Sequence, residues 1–355
     1  MILDSDFMEL TDNNPDLEIL RNKTIMITGA TGMLARYLTE FFLYLNRLHF
    51  HLHLILIVRN EQKARRLFNG KLNDQVELLV SDLTTPLFCN KKVDLLIHAA
   101  SLADPQYYRR KPVDVLLPNT LGTYYCLELA RRVGTEQVLF FSSAEIYGSL
   151  NGEGPICENI SGSLDPLDLR SCYSESKRMG ETLCAAYARQ YGIRTLCLRI
   201  FHTYGPTMNL EQDQRVFSEF LRTILESNQI VMKSSGQAKR AFCYALDMVS
   251  ACLAVINRGQ SAEAYNLAND EAFVSIRELA ETLIRTFPER RIQLIEAERD
   301  GLSDYVENQT TTYRTVSTAK LRTLGWYPRI SLEEGFRRTL HFLQQQQKKP
   351  TAGQN

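Results

Sequence analysis

Through the first two-thirds of the chain, short apolar runs alternate with longer amphipathic stretches. The runs at 24–28, 54–58, 76–80, 95–98, 138–142 and 195–200 are rich in Val, Ile and Leu and are bounded by polar or glycine-containing segments, which predicts strands. The stretches between them carry apolar residues at helical spacing. Strand and helix in repetition predict an α/β fold with a doubly wound parallel sheet, because parallel neighbours need long crossovers.

After Tyr204-Gly205-Pro206 the rhythm changes. Helices are expected at 215–226, 247–257, 275–286 and 331–344, with strands at 230–233 and 264–267, giving a second, smaller α+β lobe. The division expected is an N-terminal extension (1–21), a dinucleotide-binding domain (22–205 with 240–272), a substrate lobe (206–239 with 273–345) and a disordered polar tail (346–355).

Composition narrows the function. The 355 residues carry 41 basic and 41 acidic side chains, so there is no basic field with which to displace counterions from nucleic acid. The first residues are acidic (Asp4, Asp6, Glu9, Asp12, Asp16, Glu18), unlike a signal peptide. No apolar run approaches the roughly 20 residues of a membrane span. The eight cysteines form no C-x-x-C pair, which points away from a zinc site or disulfide framework and fits a reducing cytoplasm.

The first predicted strand runs into Gly29-Ala30-Thr31-Gly32-Met33-Leu34-Ala35 and then an apolar helical stretch. Glycines here permit a tight turn and bring a pyrophosphate close to a helix N-terminus, the arrangement of a Rossmann dinucleotide loop. Val58-Arg59-Asn60 ends the second strand, where NAD-binding proteins usually place an acid for the ribose. Arg59 suits a 2′-phosphate, stacking on adenine, or solvent, so NAD and NADP both stay open. Asp82-Leu83 and Ala99-Ala100-Ser101 follow the third and fourth strands, along the expected path of the cofactor. His98 reads as a packed strand-end histidine.

Tyr173 and Lys177 sit four residues apart at the start of a predicted helix, so phenol and ammonium share a face. A phenol acting as a base near neutral pH needs its pKa lowered by roughly three units, which a close ammonium helps supply. Tyr107 and Lys111 have the same interval, but only Tyr173 follows the fifth strand, whose end carries Ser143, the expected hydroxyl partner of Tyr173.

With these motifs the chain resembles the extended short-chain dehydrogenase/reductase family, in its group of nucleotide-sugar epimerases, dehydratases and decarboxylases. The resemblance spans about residues 22 to 345. Besides the glycine loop and Tyr173/Lys177, it rests on Asn119-Thr120-Leu121-Gly122-Thr123, on 142–148 (Ser-Ser-Ala-Glu-Ile-Tyr-Gly), on 199–206 (Arg-Ile-Phe-His-Thr-Tyr-Gly-Pro) and on Arg240-Ala241-Phe242. It implies a triad of Ser143, Tyr173 and Lys177, with Asn119 supporting the lysine. It also implies a tightly held NAD that takes hydride from sugar C4 and returns it after chemistry on the 4-keto sugar.

Glu145 matches the acidic residue that the family's 4,6-dehydratases and UDP-glucuronate decarboxylases carry two positions after the triad hydroxyl. Ala144 departs from both, since dehydratases place Asp there and decarboxylases Ser. The surroundings of Tyr173 and of 201–206 are nearest the decarboxylase branch, so the reading is a lyase of the UDP-glucuronate decarboxylase or 4,6-dehydratase type. The alternatives are an epimerase without mass change and a non-catalytic dinucleotide sensor. Arg215, Arg240 and Arg314 resemble the family's diphosphate contacts. His202 stands where Asn is common, and Lys233 replaces an aromatic that stacks on uracil. A homodimer through helices at 113–133 and 176–190 is implied as well. No metal is expected.

Overall fold

The computed structural model describes residues 2–12, 14–297 and 314–348. The six predicted strands are present as β1 (Thr24–Thr28), β2 (His53–Val58), β3 (Val76–Val80), β4 (Leu95–His98), β5 (Gln137–Ser143) and β6 (Arg194–Ile200). Residues Glu263–Leu267 join them, and the seven strands are parallel throughout. From β1 the order runs outward through β2 to β3 on one side, and on the other through β4, β5 and β6 to the strand at Glu263–Leu267. The strand order reverses between β1 and β4. In such sheets the space beyond the carboxyl ends of the strands at this point is the usual ligand position.

Helices cover both faces. Among them are α1 (Ile2–Asp12), α2 (Met33–Arg47), α3 (Glu61–Leu67), α4 (Pro105–Arg110), α5 (Pro112–Val133) and α6 (Ser171–Tyr191). α5 and α6 stop at Gly134 and Gly192, which take the left-handed conformation (φ 68° and 72°) that closes a helix. No helix among the described residues is long and apolar enough to cross a membrane.

The smaller sheets differ from expectation. β7 (His202–Tyr204), β9 (Lys239–Tyr244) and β11 (Phe273–Ser275) form a three-stranded sheet, while β8 (Gln229–Met232) pairs parallel with β12 (Gln293–Glu296); the strand at Glu263–Leu267 is β10. Residues 202–204 and 240–244, assigned above to the large-sheet domain, therefore build a separate sheet. Only Phe201 separates β6 from β7, and strands of three residues are too short to show a period. The helices of this region are α7 (Val216–Ser227), α8 (Ala245–Arg258), α9 (Ile276–Thr286), α10 (Ala319–Arg322) and α11 (Leu332–Lys348). α11 continues beyond the predicted end at 344 and takes in 346–348; the rest of the expected tail, 349–355, lies outside the described residues.

The N-terminal extension is helical and joins the main core. Phe7, Leu10, Leu17 and Leu20 are buried in the same apolar cluster as β1 and α2. Asp6 is fully buried, and its carboxylate accepts hydrogen bonds from Tyr37 (2.7 Å), Tyr244 (2.6 Å) and Arg338 (2.8 Å), tying α1 to α2, β9 and α11. Its acidic pattern, read above only as unlike a signal peptide, thus includes one structural carboxylate. Replacing Asp6 with Ala leaves two phenols without their acceptor and takes one carboxylate from Arg338, which keeps Glu9 and Glu334, and is expected to lower stability by about 2–4 kcal/mol. Urea unfolding of Asp6→Ala beside the parent measures it.

Candidate active site

The glycine loop is built for close approach. Gly29 has φ 66°, and a Cβ there would lie 2.7 Å from Ala100 Cα, so only glycine lets β1 and the end of β4 come together. α2 starts after Gly32 without a side-chain cap, leaving first-turn N–H groups available to an anion. Thr31, Met33 and Leu34 are half-buried around this turn.

Thr28 organises the neighbouring strand end. Its Oγ accepts the N–H groups of Ala99 and Ala100 (3.1 Å each), so its own proton goes to His98 Nδ1 at 2.8 Å. His98 then donates from Nε2 to Thr123 (3.1 Å), which donates to the Asn119 carbonyl (2.6 Å). Burial and the nearby Lys177 push the His98 pKa down to about 3, keeping the ring neutral. It is the packed strand-end histidine expected. Leu83 is buried against Gly122, while exposed Asp82 spends its carboxylate on the N–H and hydroxyl of Thr84. Arg59 is exposed, and its charge is felt at Asp82.

Ser143 ends β5, and Tyr173 and Lys177 lie on the first turns of α6; all three are buried. Lys177 is 2% exposed and donates from Nζ to the Phe141 carbonyl at 2.7 Å, with the Tyr173 ring centroid 5.9 Å away. Burial pulls its pKa down to about 7. The Tyr173 phenol is pushed up to about 12 by burial, with Ser143 pulling it down and Glu145 pushing it up. Ser101 weighs in the same direction as Ser143, although its buried Oγ makes no hydrogen bond of ordinary geometry. Asn119 donates to Val115 O and Ser176 Oγ, while its buried Oδ1 has no partner. Tyr107 is exposed and Lys111 faces Asp114, so that second Tyr-x-x-x-Lys interval lies on the surface.

Glu145 is exposed on the turn after β5, and its charge reaches both Tyr173 and Tyr108. Of the candidate phosphate contacts, Arg215 and Arg240 both bear on His202, which burial holds down at about 3. Arg215 is already bidentate to Asp213 (2.6 Å) and touches Met33 of the glycine turn. Lys233 is paired with Glu219, and Arg314 is bonded to the carbonyls of residues 151, 153, 154 and 155.

Residues 25–268 match a family described as the NAD dependent epimerase/dehydratase family. The chain belongs to this family. It is 32% identical over 343 residues to UDP-glucuronic acid decarboxylase 1 of Xenopus tropicalis, an alignment covering 95% of this chain and 76% of that protein. UDP-glucuronic acid decarboxylase 6 of Arabidopsis thaliana is 32% identical over 327 residues, with 88% and 87% covered. A solved UDP-glucuronic acid 4-epimerase from Bacillus cereus, in complex with NAD, shares the fold at a TM-score of 0.72 and 20% identity, covering 93% of this chain and 99% of that one.

Two features of this family member escape a reading of motifs. Tyr108 of α4 stacks on Tyr173, ring centroids 5.0 Å apart and planes at 10°, and donates its hydroxyl to the Ala103 carbonyl. Its only sequence signal was proximity to Tyr107, which drew attention through the wrong interval. Beneath β5, Glu181 accepts from Ser142 (2.6 Å) and pairs with Arg199 (2.8 Å), whose Nη1 reaches Tyr147. That network fixes the segment carrying Ser143 and Glu145.

The buried amine gives a pH signature. A folded-state pKa of about 7 against the ordinary 10.5 means that folding releases a proton between those limits. This contribution is therefore fully favourable above the unfolded value and is lost as pH falls toward 7. Between pH 7 and about 9, stability of the dinucleotide-free protein should rise by about 1.4 kcal/mol per pH unit from this group. Lys177→Met should remove that slope in chemical unfolding at the two ends of the range.

Proposed function

We propose that the chain is a nucleotide-sugar-modifying enzyme that works through a 4-keto sugar, and that its reaction is the decarboxylation of a UDP-glucuronate-type substrate. The observation that carries this is the convergence of a buried Tyr173–Lys177 pair, the Ser143 hydroxyl and the exposed Glu145 carboxylate at the carboxyl end of β5 and the start of α6. Alignment along nearly the whole chain with decarboxylases supports it.

A nicotinamide dinucleotide fits the crevice on three counts: the Gly29 cradle, the uncapped start of α2, and the buried, unpartnered Ser101 Oγ and Asn119 Oδ1. Thr31 to Leu34, Leu83, Ala99 to Ser101, Asn119, Tyr173 and Lys177 are the residues proposed to hold it. Held there, a nicotinamide ring would supply an acceptor for the C4 hydride of the sugar and a donor for its return.

Tyr173 removes the C4 hydroxyl proton as phenolate, and Ser143 donates to the same sugar oxygen, steadying the charge that develops there. Burial alone sets the phenol against this role, so Lys177 must act as an ammonium: each charge makes the other affordable in a site that disfavours both. The ketone then acts as an electron sink for loss of the neighbouring carboxylate. Glu145, at the exposed side, is the residue proposed to act at C5 and its substituents.

The proposed substrate lobe is 206–239 with 273–345, of which 298–313 lie outside the described residues. Arg215, Arg240 and Arg314 are the proposed diphosphate contacts, with His202 beside the phosphates and Lys233 toward the base; Arg215, Arg314 and Lys233 take these roles only by leaving their present partners. An epimerase reading draws on Ala144, which supplies no acid beside Ser143. We also assign a two-fold dimer through α5 and α6, which expose Val113, Leu121, Tyr124, Met179 and Tyr191, and a reducing cytoplasm, in keeping with eight free thiols.

Incubation with UDP-glucuronate, UDP-glucose, UDP-GlcNAc, dTDP-glucose and CDP-glucose, followed by product mass, decides the reaction. Loss of carbon dioxide from UDP-glucuronate is expected; loss of water or an isomeric product would replace this reading. Tyr173→Phe should cut turnover by about three orders of magnitude or more while dinucleotide stays bound, and near-parental activity would remove Tyr173 from the chemistry. Glu145→Gln should stall after oxidation, with reduced cofactor accumulating at its absorbance band. For the dimer, Tyr124→Glu should halve the mass seen by light scattering.

A further inference from the structure

The adenosine end of the crevice lies at the carboxyl edge of β2. In dinucleotide folds an acid at the end of the second strand pairs with the ribose hydroxyls, and its charge repels a 2′-phosphate. Here β2 ends at Val58, followed by the exposed Arg59. Asn60 is occupied as the cap of α3, accepting the Lys63 N–H at 2.8 Å, and the next carboxylate, Glu61, is paired with Arg65 at 2.7 Å. Nothing at this strand end is left to accept a ribose hydroxyl in the usual way.

Arg36, in the first turn of α2, adds a second cation. Its Nε is buried and makes no hydrogen bond. Burial works against its charge, and only Glu40, one turn later, offsets this. Glu40 is itself held by Lys71, which lies just beyond α3. Residues 36 and 40 share one face of α2, and the Glu40–Lys71 pair ties that face to the segment just after α3, the helix that Arg59 and Asn60 lead into. A guanidinium N–H sealed from water without an acceptor is costly, and an anion entering beside it relieves that cost.

We infer that Arg36 and Arg59 form a site for a phosphate monoester on the adenosine ribose, so that the chain takes NADP in preference to NAD. This rests on the proposed dinucleotide crevice and concerns only its adenosine end. Guanidinium groups suit a phosphate dianion through paired N–H bonds. Since the hydride is returned within each turnover, either dinucleotide serves the reaction, and the choice falls to the ribose.

Binding tests this without turnover. Dinucleotide is stripped from the protein, and dissociation constants for NADPH and NADH are measured by calorimetry. The same is done for 2′,5′-ADP and 5′-AMP, which read the adenosine end alone. NADPH and 2′,5′-ADP are expected to bind at least about tenfold more tightly than their unphosphorylated counterparts. In Arg59→Met and in Arg36→Met the ratio should fall toward one. Equal affinities in the parent protein overturn the proposal, whatever the variants do. So does an Arg36→Met that weakens both dinucleotides alike, because Arg36 then serves the pyrophosphate. If none of the four ligands binds, the dinucleotide crevice itself is refuted, a result distinct from loss of selectivity.

Discussion

Lys177 holds an amine at the bottom of a seam between β5 and α6, with a backbone carbonyl as its hydrogen-bond acceptor and aromatic rings around it. Low polarity around this amine and the neighbouring phenol pushes each toward its neutral form, down for the lysine and up for the tyrosine. The proposed proton relay, built this way, is silent in the absence of ligand. It becomes useful when positive charge and a hydroxyl partner arrive together, because in a poorly polar site one charge strongly stabilises its opposite. The stacked Tyr108 keeps water from the other face of the phenol and fixes the plane in which it points.

The rest of the fold holds that seam in register with the crevice. β4 and β5 are adjacent and parallel, so the carboxyl end of one brings Ala99 to Ser101 beside the Ser143 end of the other. The Thr28–His98–Thr123 chain of hydrogen bonds locks β1, β4 and α5 together, and α5 carries Asn119 to Ser176. Glu181 and Arg199 secure the same strand end from beneath. α1 acts at greater distance, pinning α2, and with it the glycine turn, against β9 and α11 through one buried carboxylate.

Much of this was legible in the residues because the signals were local. All six of the strands β1 to β6 were placed to within a residue at each end, since buried parallel strands read as continuous apolar runs. The glycine turn and the Tyr173–Lys177 interval carry their chemistry in their spacing. What escaped depends on contacts between distant segments. Asp6 looks like any acidic surface residue until Tyr37, Tyr244 and Arg338 close around it. β7 and β11 are strands only because β9 lies between them. Arg36 sits in an ordinary helical turn, and only the tertiary fold buries its Nε. Lys233 and Arg314 were singled out by position, yet each is engaged with a partner that position does not reveal.

The central claim is that ligand charge, acting with Lys177, turns a buried phenol from a poor base into a good one. Labelling the tyrosine ring carbons and following the Tyr173 resonance through a pH titration measures that directly, with and without oxidised dinucleotide. The account predicts a phenol titrating near 12 in the free protein, falling to about 7 or 8 with dinucleotide bound, and remaining high with dinucleotide bound in Lys177→Met. A phenol whose titration is the same in all three samples would contradict it.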